Sequence, residues 1–195
     1  MALARVGILV GTKGRGSNMR ALATACAEGI VPAEVALVIS PSASAPAVEV
    51  ARESGIVVAI VEPGEGYGER LVSALRQHDC GWVCLAGYLR LLPMEVLTAY
   101  PSRVLNIHPA LLPKFGGKGM YGLKVHEAVL AAGEFKSGCT VHLVSDRYDE
   151  GEIVLQMECP VEEGDTPEKL AERVLALEHR AYAEALKMMV ERHGP

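Results

Sequence analysis

Two polar residues, Asn106 and His108, stand at the end of an apolar run in the segment 104–113, which reads VLNIHPALLP. Residues i and i+2 of a strand share one face, so these side chains are predicted to point in the same direction and Ile107 in the opposite one. A proline follows His108 and restricts its backbone to extended conformations. An amide and an imidazole on one face could donate hydrogen bonds to a developing oxyanion. The alternative is a polar pair that only fastens the loop.

A glycine-rich segment, Gly11–Asn18 (GTKGRGSN), lies between an apolar run and a helical pattern and is a second candidate site. Free N–H groups and the dipole at a helix N-terminus attract anions, so the segment predicts a phosphate site. It has neither the Gly-Lys-Ser/Thr of a P-loop nor the G-x-G-x-x-G spacing, and the next apolar run ends Ile39-Ser40-Pro41 without an acidic residue. A single phosphate group is therefore favoured over a nucleoside triphosphate or a dinucleotide. The alternative is an ordinary turn with an Asn or Ser cap.

An acidic segment, Asp146–Gly151 (DRYDEG), lies between two apolar runs near the C-terminal end. A carboxylate there could orient or charge a histidine. Asp and Gly are also ordinary turn residues, so a solvated turn is the alternative. The spacing does not match an EF-hand, and no metal site is predicted.

The composition limits the classes of protein to which this chain can belong. Of its 195 residues, 50% are hydrophobic and 22% are charged, which favours a single folded domain over disorder. A net charge of −5 disfavours nucleic acid as a partner. The chain shows no apolar run long enough to span a bilayer and no signal-peptide pattern at residues 1–11, so a cytoplasmic protein is expected.

The five cysteines are predicted to pack in the core. They are odd in number, lie among apolar neighbours and form no C-x-x-C pair, so neither a disulfide framework nor a zinc site is indicated. These residues are Cys26, Cys80, Cys84, Cys139 and Cys159.

The elements that must position the polar residues follow from short apolar runs. Runs of this kind are typical of parallel strands buried on both faces, and helical patterns at 19–26 and 67–77 separate some of them. The alternation predicts an α/β fold. The predicted strands are 6–10, 35–39, 56–61, 82–87 and 104–107.

The pattern changes after residue 113. A helix is predicted near 123–132, followed by strands at 140–146 and 152–158, which are too close together for a helical crossover and must be antiparallel. A closing helix is predicted to begin at Thr166-Pro167, with Thr as N-cap. Its buried stripe is predicted to consist of Leu170, Val174, Leu177, Ala181, Ala185 and Met188.

Four segments recur together in one known family. They are Gly14–Asn18, Leu85–Arg90 (LAGYLR), Asn106–Pro113 (NIHPALLP) and Asp146–Gly151, in that order. Across essentially its whole length the chain resembles the folate-dependent phosphoribosylglycinamide formyltransferase family. The NIHPALLP segment is also similar to methionyl-tRNA formyltransferase and formyltetrahydrofolate deformylase, whereas the early Gly-Ser-Asn is what singles out the ribonucleotide enzymes. The additional domains of those two other enzymes are not expected here.

The resemblance implies a single domain over 1–195 with an open, mostly parallel, Rossmann-like twisted sheet, helices on both faces and an antiparallel C-terminal strand pair. A phosphate-binding half would cover about 1–100 and a folate-binding, catalytic half about 101–195. The implied reaction moves the formyl group of 10-formyltetrahydrofolate to the amine of glycinamide ribonucleotide in purine biosynthesis. A monomer or homodimer without a metal is expected.

The resemblance also assigns residues to roles. Gly16, Ser17 and Asn18 would hold the substrate phosphate, and Glu178 would contact the same substrate. The folate pocket would be formed by Leu89, Arg90, Leu91, Leu92, Asn106, Ser145, Asp146, Arg147, Tyr148 and Asp149.

Asn106, His108 and Asp149 are the implied catalytic residues, with His142 as a supporting candidate. Asn106 and a protonated His108 would stabilise the oxyanion of a tetrahedral intermediate, and Asp149 would favour the imidazolium and assist proton movement. The remaining alternatives are a deformylase, a formyl transferase for another amine, and a non-catalytic phosphometabolite-binding module.

Three positions depart from the family pattern. Gly64 stands where an arginine often meets the folate, and Arg70 is a nearby substitute. The loop 114–121 is longer than in the shortest members, which leaves its contacts open. Glu152 replaces a common proline and is expected on the surface.

Overall fold

The computed structural model describes residues 3–195, which form a seven-stranded sheet and six helices. In chain order the elements are β1 (Ala4–Val10), α1 (Ser17–Ala27), β2 (Ala33–Ser40), α2 (Pro46–Glu53), β3 (Val58–Ile60), α3 (Tyr67–Gln77), β4 (Trp82–Ala86), α4 (Met94–Ala99), β5 (Val104–His108), α5 (Leu123–Ala131), β6 (Lys136–Leu143), β7 (Ile153–Pro160) and α6 (Pro167–His193).

The strand order is β3-β2-β1-β4-β5-β6-β7. The strands β1 to β5 are parallel, β6 is antiparallel to β5, and β7 is antiparallel to β6. The predicted α/β fold with an antiparallel C-terminal pair is therefore confirmed. The order reverses between β1 and β4, and at such a point the carboxyl ends of parallel strands diverge and leave a crevice for a ligand.

The centre of the sheet is buried as predicted, but one edge is not. All five residues of β4 are buried, as are all residues of β1 except Arg5. The predicted strand 56–61 is only three residues long in the structure, and none of them is buried. It lies at an edge, where one side of the backbone has no partner strand and burial on both faces is not required.

Helices α2 and α4 are absent from the sequence prediction. They are eight and six residues long. Windows this short contain about two turns, too few for a period of 3.6 to emerge from a run of mixed residues. The predictions at α1, α3 and α5 are confirmed. Strand β6 begins at Lys136 rather than Thr140 and ends at Leu143.

The closing helix begins where it was predicted to begin. The Thr166 side chain accepts a hydrogen bond from the Lys169 N–H at 3.3 Å, and Pro167 occupies the first turn. The predicted core position of Met188 is wrong, since this residue is 37% exposed while Met189 is 4% exposed. Over 27 residues, a stripe extrapolated by steps of three and four drifts off the buried face.

A buried phenol fastens α6 to the centre of the sheet. The Tyr182 hydroxyl lies 2.9 Å from the carbonyl oxygens of both Leu85 and Leu105, on β4 and β5. One O–H shared by two carbonyls fixes the height of the helix relative to both strands. Glu178, one turn earlier on the same helix, is positioned by this anchor.

The five cysteines are buried and unpaired by disulfides, which confirms the packing prediction. Burial raises the pKa of Cys84 to about 12 and that of Cys26 to about 11, so neither is a thiolate at neutral pH. No helix among residues 3–195 combines the length and apolar character that are needed to cross a bilayer.

Candidate active site

A cleft of about 610 Å³ opens at the carboxyl edge of the sheet. Its walls come from the segment after β4, the end of β5, the loop 117–122 and the turn 144–149, with Asn18 and Glu178 at one end. This is the crevice expected where the strand order reverses.

Asn106 and His142 are directly opposite each other in the antiparallel pair β5–β6. The Asn106 Nδ2 lies 3.0 Å from the His142 Nε2, and the His142 Nδ1 lies 2.9 Å from the Leu143 carbonyl oxygen. A carbonyl oxygen can only accept, so Nδ1 carries the proton and Nε2 accepts from the Asn106 amide. This bond orients the amide and uses one of its two N–H groups, leaving the other for a ligand.

His108 lies two residues further along β5, buried and on the same face as Asn106. Its Nε2 donates to the Phe115 carbonyl oxygen at 2.8 Å. Its Nδ1 is 3.5 Å from the Asp149 Oδ2, which is close enough for a strong charge interaction but long for a hydrogen bond. In the neutral ring, the Nδ1 lone pair is thus the basic position.

Asp149 is brought to the two histidines by a tight turn. Its backbone is in the left-handed region at φ 57°, its Oδ2 accepts from the Gly117 N–H at 2.9 Å, and its Oδ1 is 3.5 Å from the His142 Nε2. A Cβ at Gly151 would overlap the Leu143 carbonyl oxygen, so only glycine lets the turn approach β6 this closely. Asn106, His108, His142 and Asp149 together are called the catalytic cluster below.

The charge balance of the cluster differs from the expectation of a protonated His108. Burial is the largest influence on the pKa of His108 and lowers it, and together with the nearby His142 it outweighs the opposing effects of the Asp149 carboxylate and the Phe115 carbonyl. The net pKa is below the ordinary 6.5, so His108 is neutral at pH 7. Asp149 raises the pKa of His108 as expected, but burial determines that the net pKa is lowered.

The Asp149 carboxylate stays ionised. Burial raises its pKa, but the nearby His142 and His108 rings and the Gly117 N–H together bring the pKa below its ordinary value. An anion is therefore held between two imidazoles.

The glycine-rich segment turns into α1 at Gly16. This residue is the N-cap in the left-handed region at φ 75°, and a Cβ there would lie 3.2 Å from the Ala47 backbone and side chain. No side chain within the described residues caps α1, so the alternative of a turn capped by Asn or Ser is wrong. The first-turn N–H groups are available to an anion. The segment Gly16–Asn18 is called the phosphate segment below.

Asn18 links the phosphate segment to the cleft. Its Nδ2 donates to the Glu178 Oε2 at 2.6 Å across 160 residues of sequence. Burial raises the pKa of Glu178, and the Asn18 hydrogen bond opposes that shift. Both side chains line the cleft, whereas Gly16 and Ser17 lie outside its lining.

The residues assigned to the folate by resemblance lie mostly where expected. Leu89, Arg90, Leu91 and Leu92 line one side of the cleft, and Ser145, Arg147, Tyr148 and Asp149 line the other. Asp146 is the exception, because it is exposed and does not contribute to the lining. The assignment of Asp146 to the folate pocket therefore stays a prediction.

The structure also shows where the three positions that depart from the family pattern lie. The Arg70 guanidinium donates to the carbonyl oxygens of Glu62 and Glu65 and stays outside the cleft, so it does not replace the missing arginine. In the loop 114–121, Lys114 pairs with Glu134 at 2.7 Å, away from the cleft, while the stretch 117–121 lines it. Glu152 is exposed, as expected.

Three side chains near the cluster were missed at the level of sequence. His126 on α5 is 3% exposed and lines the cleft, and burial, aided by His108, lowers its pKa to about 4. Thr140 and Gln156 lie beneath the loop that follows β5. In the sequence, His126 belongs to an apolar helical pattern and Thr140 to an apolar strand pattern, so the polarity of these two buried residues is the signal that could have indicated them. Gln156 is an exposed residue of the edge strand and gives no such signal.

No group of three or more His, Cys, Asp or Glu side chains among residues 3–195 has an arrangement that could hold a metal ion.

Comparison with known proteins assigns the chain to a family. The formyl transferase family model matches residues 6–186. A relative from Arabidopsis thaliana, named phosphoribosylglycinamide formyltransferase, chloroplastic, is 44% identical over 190 residues, which cover 94% of this chain and 65% of the relative. The chain therefore spans less than two thirds of the length of that relative.

Bacterial proteins are similar over more of their length. The phosphoribosylglycinamide formyltransferase of Escherichia coli (strain K12) is 34% identical over 180 residues, which cover 90% of this chain and 82% of that protein. The crystal structure of glycinamide ribonucleotide transformylase 1 from Symbiobacterium toebii superposes with a TM-score of 0.89 at 41% identity, covering 98% of this chain and 89% of that one.

Proposed function

The chain belongs to the formyl transferase family, and on that premise we propose that it transfers the formyl group of 10-formyltetrahydrofolate to the amine of glycinamide ribonucleotide. The products are N-formylglycinamide ribonucleotide and tetrahydrofolate, in de novo purine biosynthesis. The names of the relatives from Arabidopsis and Escherichia coli support this substrate pair.

The observation that carries the proposal is the meeting of two sites in one cleft. The phosphate segment reaches the cleft through the Asn18–Glu178 bond, and the catalytic cluster lies on the neighbouring strands β5 and β6. A substrate with a phosphate at one end and a nucleophilic amine at the other can engage both sites at once. Such positioning supplies a large part of the rate in a two-substrate reaction.

The formyl donor fits the remaining part of the cleft. The walls there are apolar side chains, including Leu85, Leu92 and Val144, together with the backbone around Leu89–Leu91. Apolar walls with a few polar groups are typical of sites for flat ring systems such as a pterin. Arg90 lines the cleft and is exposed, which suits the carboxylate end of a folate.

The proposed reaction starts from a neutral His108. The amine nitrogen of glycinamide ribonucleotide attacks the formyl carbon, and the carbonyl electron pair moves to the formyl oxygen. The Nδ1 of His108 accepts the proton that the attacking nitrogen loses, since Nε2–H is held by the Phe115 carbonyl. The proton then passes to the leaving nitrogen of the folate as its bond to carbon breaks.

Two groups of the catalytic cluster stabilise the charges that develop during this reaction, one negative and one positive. The second N–H of Asn106, free of His142, donates to the oxyanion. The imidazolium forms beside the ionised Asp149, at 3.5 Å, so the positive charge appears next to an anion that is already in place. The protonated His108 expected from the sequence therefore arises during the reaction rather than before it.

The test is to incubate the purified protein with 10-formyltetrahydrofolate and glycinamide ribonucleotide and to follow tetrahydrofolate and the formylated product. We expect equal amounts of both products. Formate release without an acceptor would indicate a deformylase, formyl transfer only to another amine would indicate a different transferase, and ribonucleotide binding without turnover would indicate a binding module. Each of these three outcomes would overturn the proposal.

We further propose that the N-terminal half, about 1–100, supplies the phosphate segment and the C-terminal half, about 101–195, the catalytic cluster of a single domain. The expected partners are these small molecules and no nucleic acid, with the chain a monomer or homodimer in the cytoplasm. Light scattering tests the oligomeric state, and cell fractionation tests the cytoplasmic location. The location is of interest because the Arabidopsis relative is named as chloroplastic.

A further inference from the structure

His108, Thr140 and Gln156 form one row across three strands. His108 pairs with Thr140 in the β5–β6 ladder, and Thr140 pairs with Gln156 in the β6–β7 ladder. Directly opposite residues of antiparallel strands place their side chains on the same face, so the row continues from the catalytic histidine to the edge of the sheet.

The Thr140 hydroxyl is fully used in this row. It donates to the Ala110 carbonyl oxygen at 2.6 Å and accepts from the Leu112 N–H at 3.0 Å and from the Gln156 Nε2 at 2.9 Å. The second N–H of Gln156 donates to the Leu112 carbonyl oxygen at 2.9 Å. Four hydrogen bonds therefore fasten the turn that directly follows His108: the two between Thr140 and the backbone are buried, and the two from Gln156 are partly buried.

The fastened turn leads directly to the backbone groups that hold the catalytic cluster. Three residues after Leu112, the Phe115 carbonyl accepts from the His108 Nε2, and two residues later the Gly117 N–H donates to Asp149. One short segment thus sets the tautomer of the histidine and the position of the carboxylate. A shift of this segment would move both groups together.

We propose that Thr140 and Gln156 are positioning residues for catalysis: through the turn 110–112 they hold the Phe115 carbonyl on His108 and the Gly117 N–H on Asp149. Neither residue belongs to the cleft lining, so they act through the backbone rather than by touching the substrate. The predicted change in kcat rests on the proposed function. The predicted change in the titration of His108 does not.

The effect on His108 follows from the groups that surround it. From β6 and the following turn these are His142 and Asp149, from α5 His126, and from the loop the Phe115 carbonyl. Only Asp149 and the Phe115 carbonyl raise the pKa of His108. Loosening the segment weakens the carbonyl contact and lets burial lower the pKa of His108 further.

Thr140→Val tests the proposal by removing the hydroxyl at nearly constant volume. We expect kcat to fall about 10- to 10²-fold, as for a small displacement of reacting groups, while the KM of each substrate changes less than about threefold. The His108 ring, identified in NMR spectra by its absence in His108→Ala, is expected to titrate at a lower pH than in the wild type. Thr140→Ser keeps the hydroxyl and is expected to restore both properties.

Ser137→Ala is the matched control, because Ser137 is a buried hydroxyl on the same strand whose Oγ has no hydrogen-bond partner. It is expected to leave kcat and the titration of His108 unchanged. If Thr140→Val does not fold, Gln156→Met on the edge strand tests the same contact with a smaller loss.

A folded Thr140→Val, or Gln156→Met in its place, with wild-type kcat and wild-type His108 titration would overturn the proposal. A loss of kcat that matches the loss of folded protein, with the titration unchanged, would overturn it as well, since it would make the role purely structural. Failure of the wild type to use glycinamide ribonucleotide would overturn the proposed function instead, and the NMR titration would still decide the positioning role.

Discussion

The phosphate segment and the catalytic cluster differ in the atoms that they present to a ligand. The phosphate segment offers backbone N–H groups at the start of α1, where a left-handed Gly16 turns the chain into the helix. The catalytic cluster offers side chains whose orientation depends on hydrogen bonds to other chain segments, such as His142 on Asn106 and Phe115 on His108.

This difference separates two physical tasks. An anion is recognised by N–H groups that any sequence with the right turn can supply, and their charge does not titrate. Proton transfer needs groups whose pKa values are set by burial and by neighbouring charges. Changes in the phosphate segment should therefore act on substrate binding, and changes in the catalytic cluster on turnover and its dependence on pH.

The strongest test of this separation is His108→Ala. Loss of the proton acceptor is expected to lower kcat about 10²- to 10⁴-fold, because general base catalysis contributes this order. The KM values should change only slightly, and Asp149→Ala should behave similarly. Steady-state kinetics with both substrates measures the split. A kcat within tenfold of the wild type would remove His108 from the reaction.

Gly16→Ala is expected to change KM rather than kcat, the opposite of His108→Ala. A Cβ at φ 75° costs about 1–2 kcal/mol and also meets Ala47, so the turn must shift and the KM of the phosphorylated substrate should rise about tenfold. The kcat should be nearly unchanged. Gly29→Ala is the matched control, since Gly29 has φ 72° and open space around its Cβ position but lies at the far end of α1. An equal rise of KM in both variants would contradict a local role.

Asp149→Asn provides a test of the electrostatics of the cluster. In the wild type the pKa of His108 is already below 6.5 because of burial, while the Asp149 carboxylate raises it. Removing that negative charge favours the neutral ring, so the titration of His108 should move to still lower pH. NMR titration of the ring measures the shift. Movement to higher pH would contradict the effect of the Asp149 carboxylate on the pKa of His108.

The smallest effect is expected for Asp146→Asn. The carboxylate is exposed and outside the cleft lining, and surface changes of this kind usually alter free energies by no more than about 0.5 kcal/mol. Both kcat and the KM of the formyl donor should stay within about twofold of the wild type. A marked rise of that KM would support the assignment of Asp146 to the folate pocket.

Much of the framework was predictable because it depends on neighbours along the chain. The two-residue period of a strand is enough to place Asn106 and His108 on one face, and the proline after His108 explains why the strand ends there. The α/β alternation and the helix start at Thr166 follow from similarly local patterns. The edge position of β3 and the exposure of Met188 do not, since they depend on which elements cover them.

The chemical groups and the strand faces that carry them thus follow from the order of residues along the chain, whereas the contacts and charges of those groups depend on the folded arrangement. Asn18 meets Glu178 across 160 residues, and Asn106 meets His142 across 36, because sheet register and helix packing bring them together. The neutral state of His108 is likewise a property of its burial. Periodicity is set by bonded neighbours, whereas distance, solvent exclusion and therefore charge are set by segments that are remote in sequence.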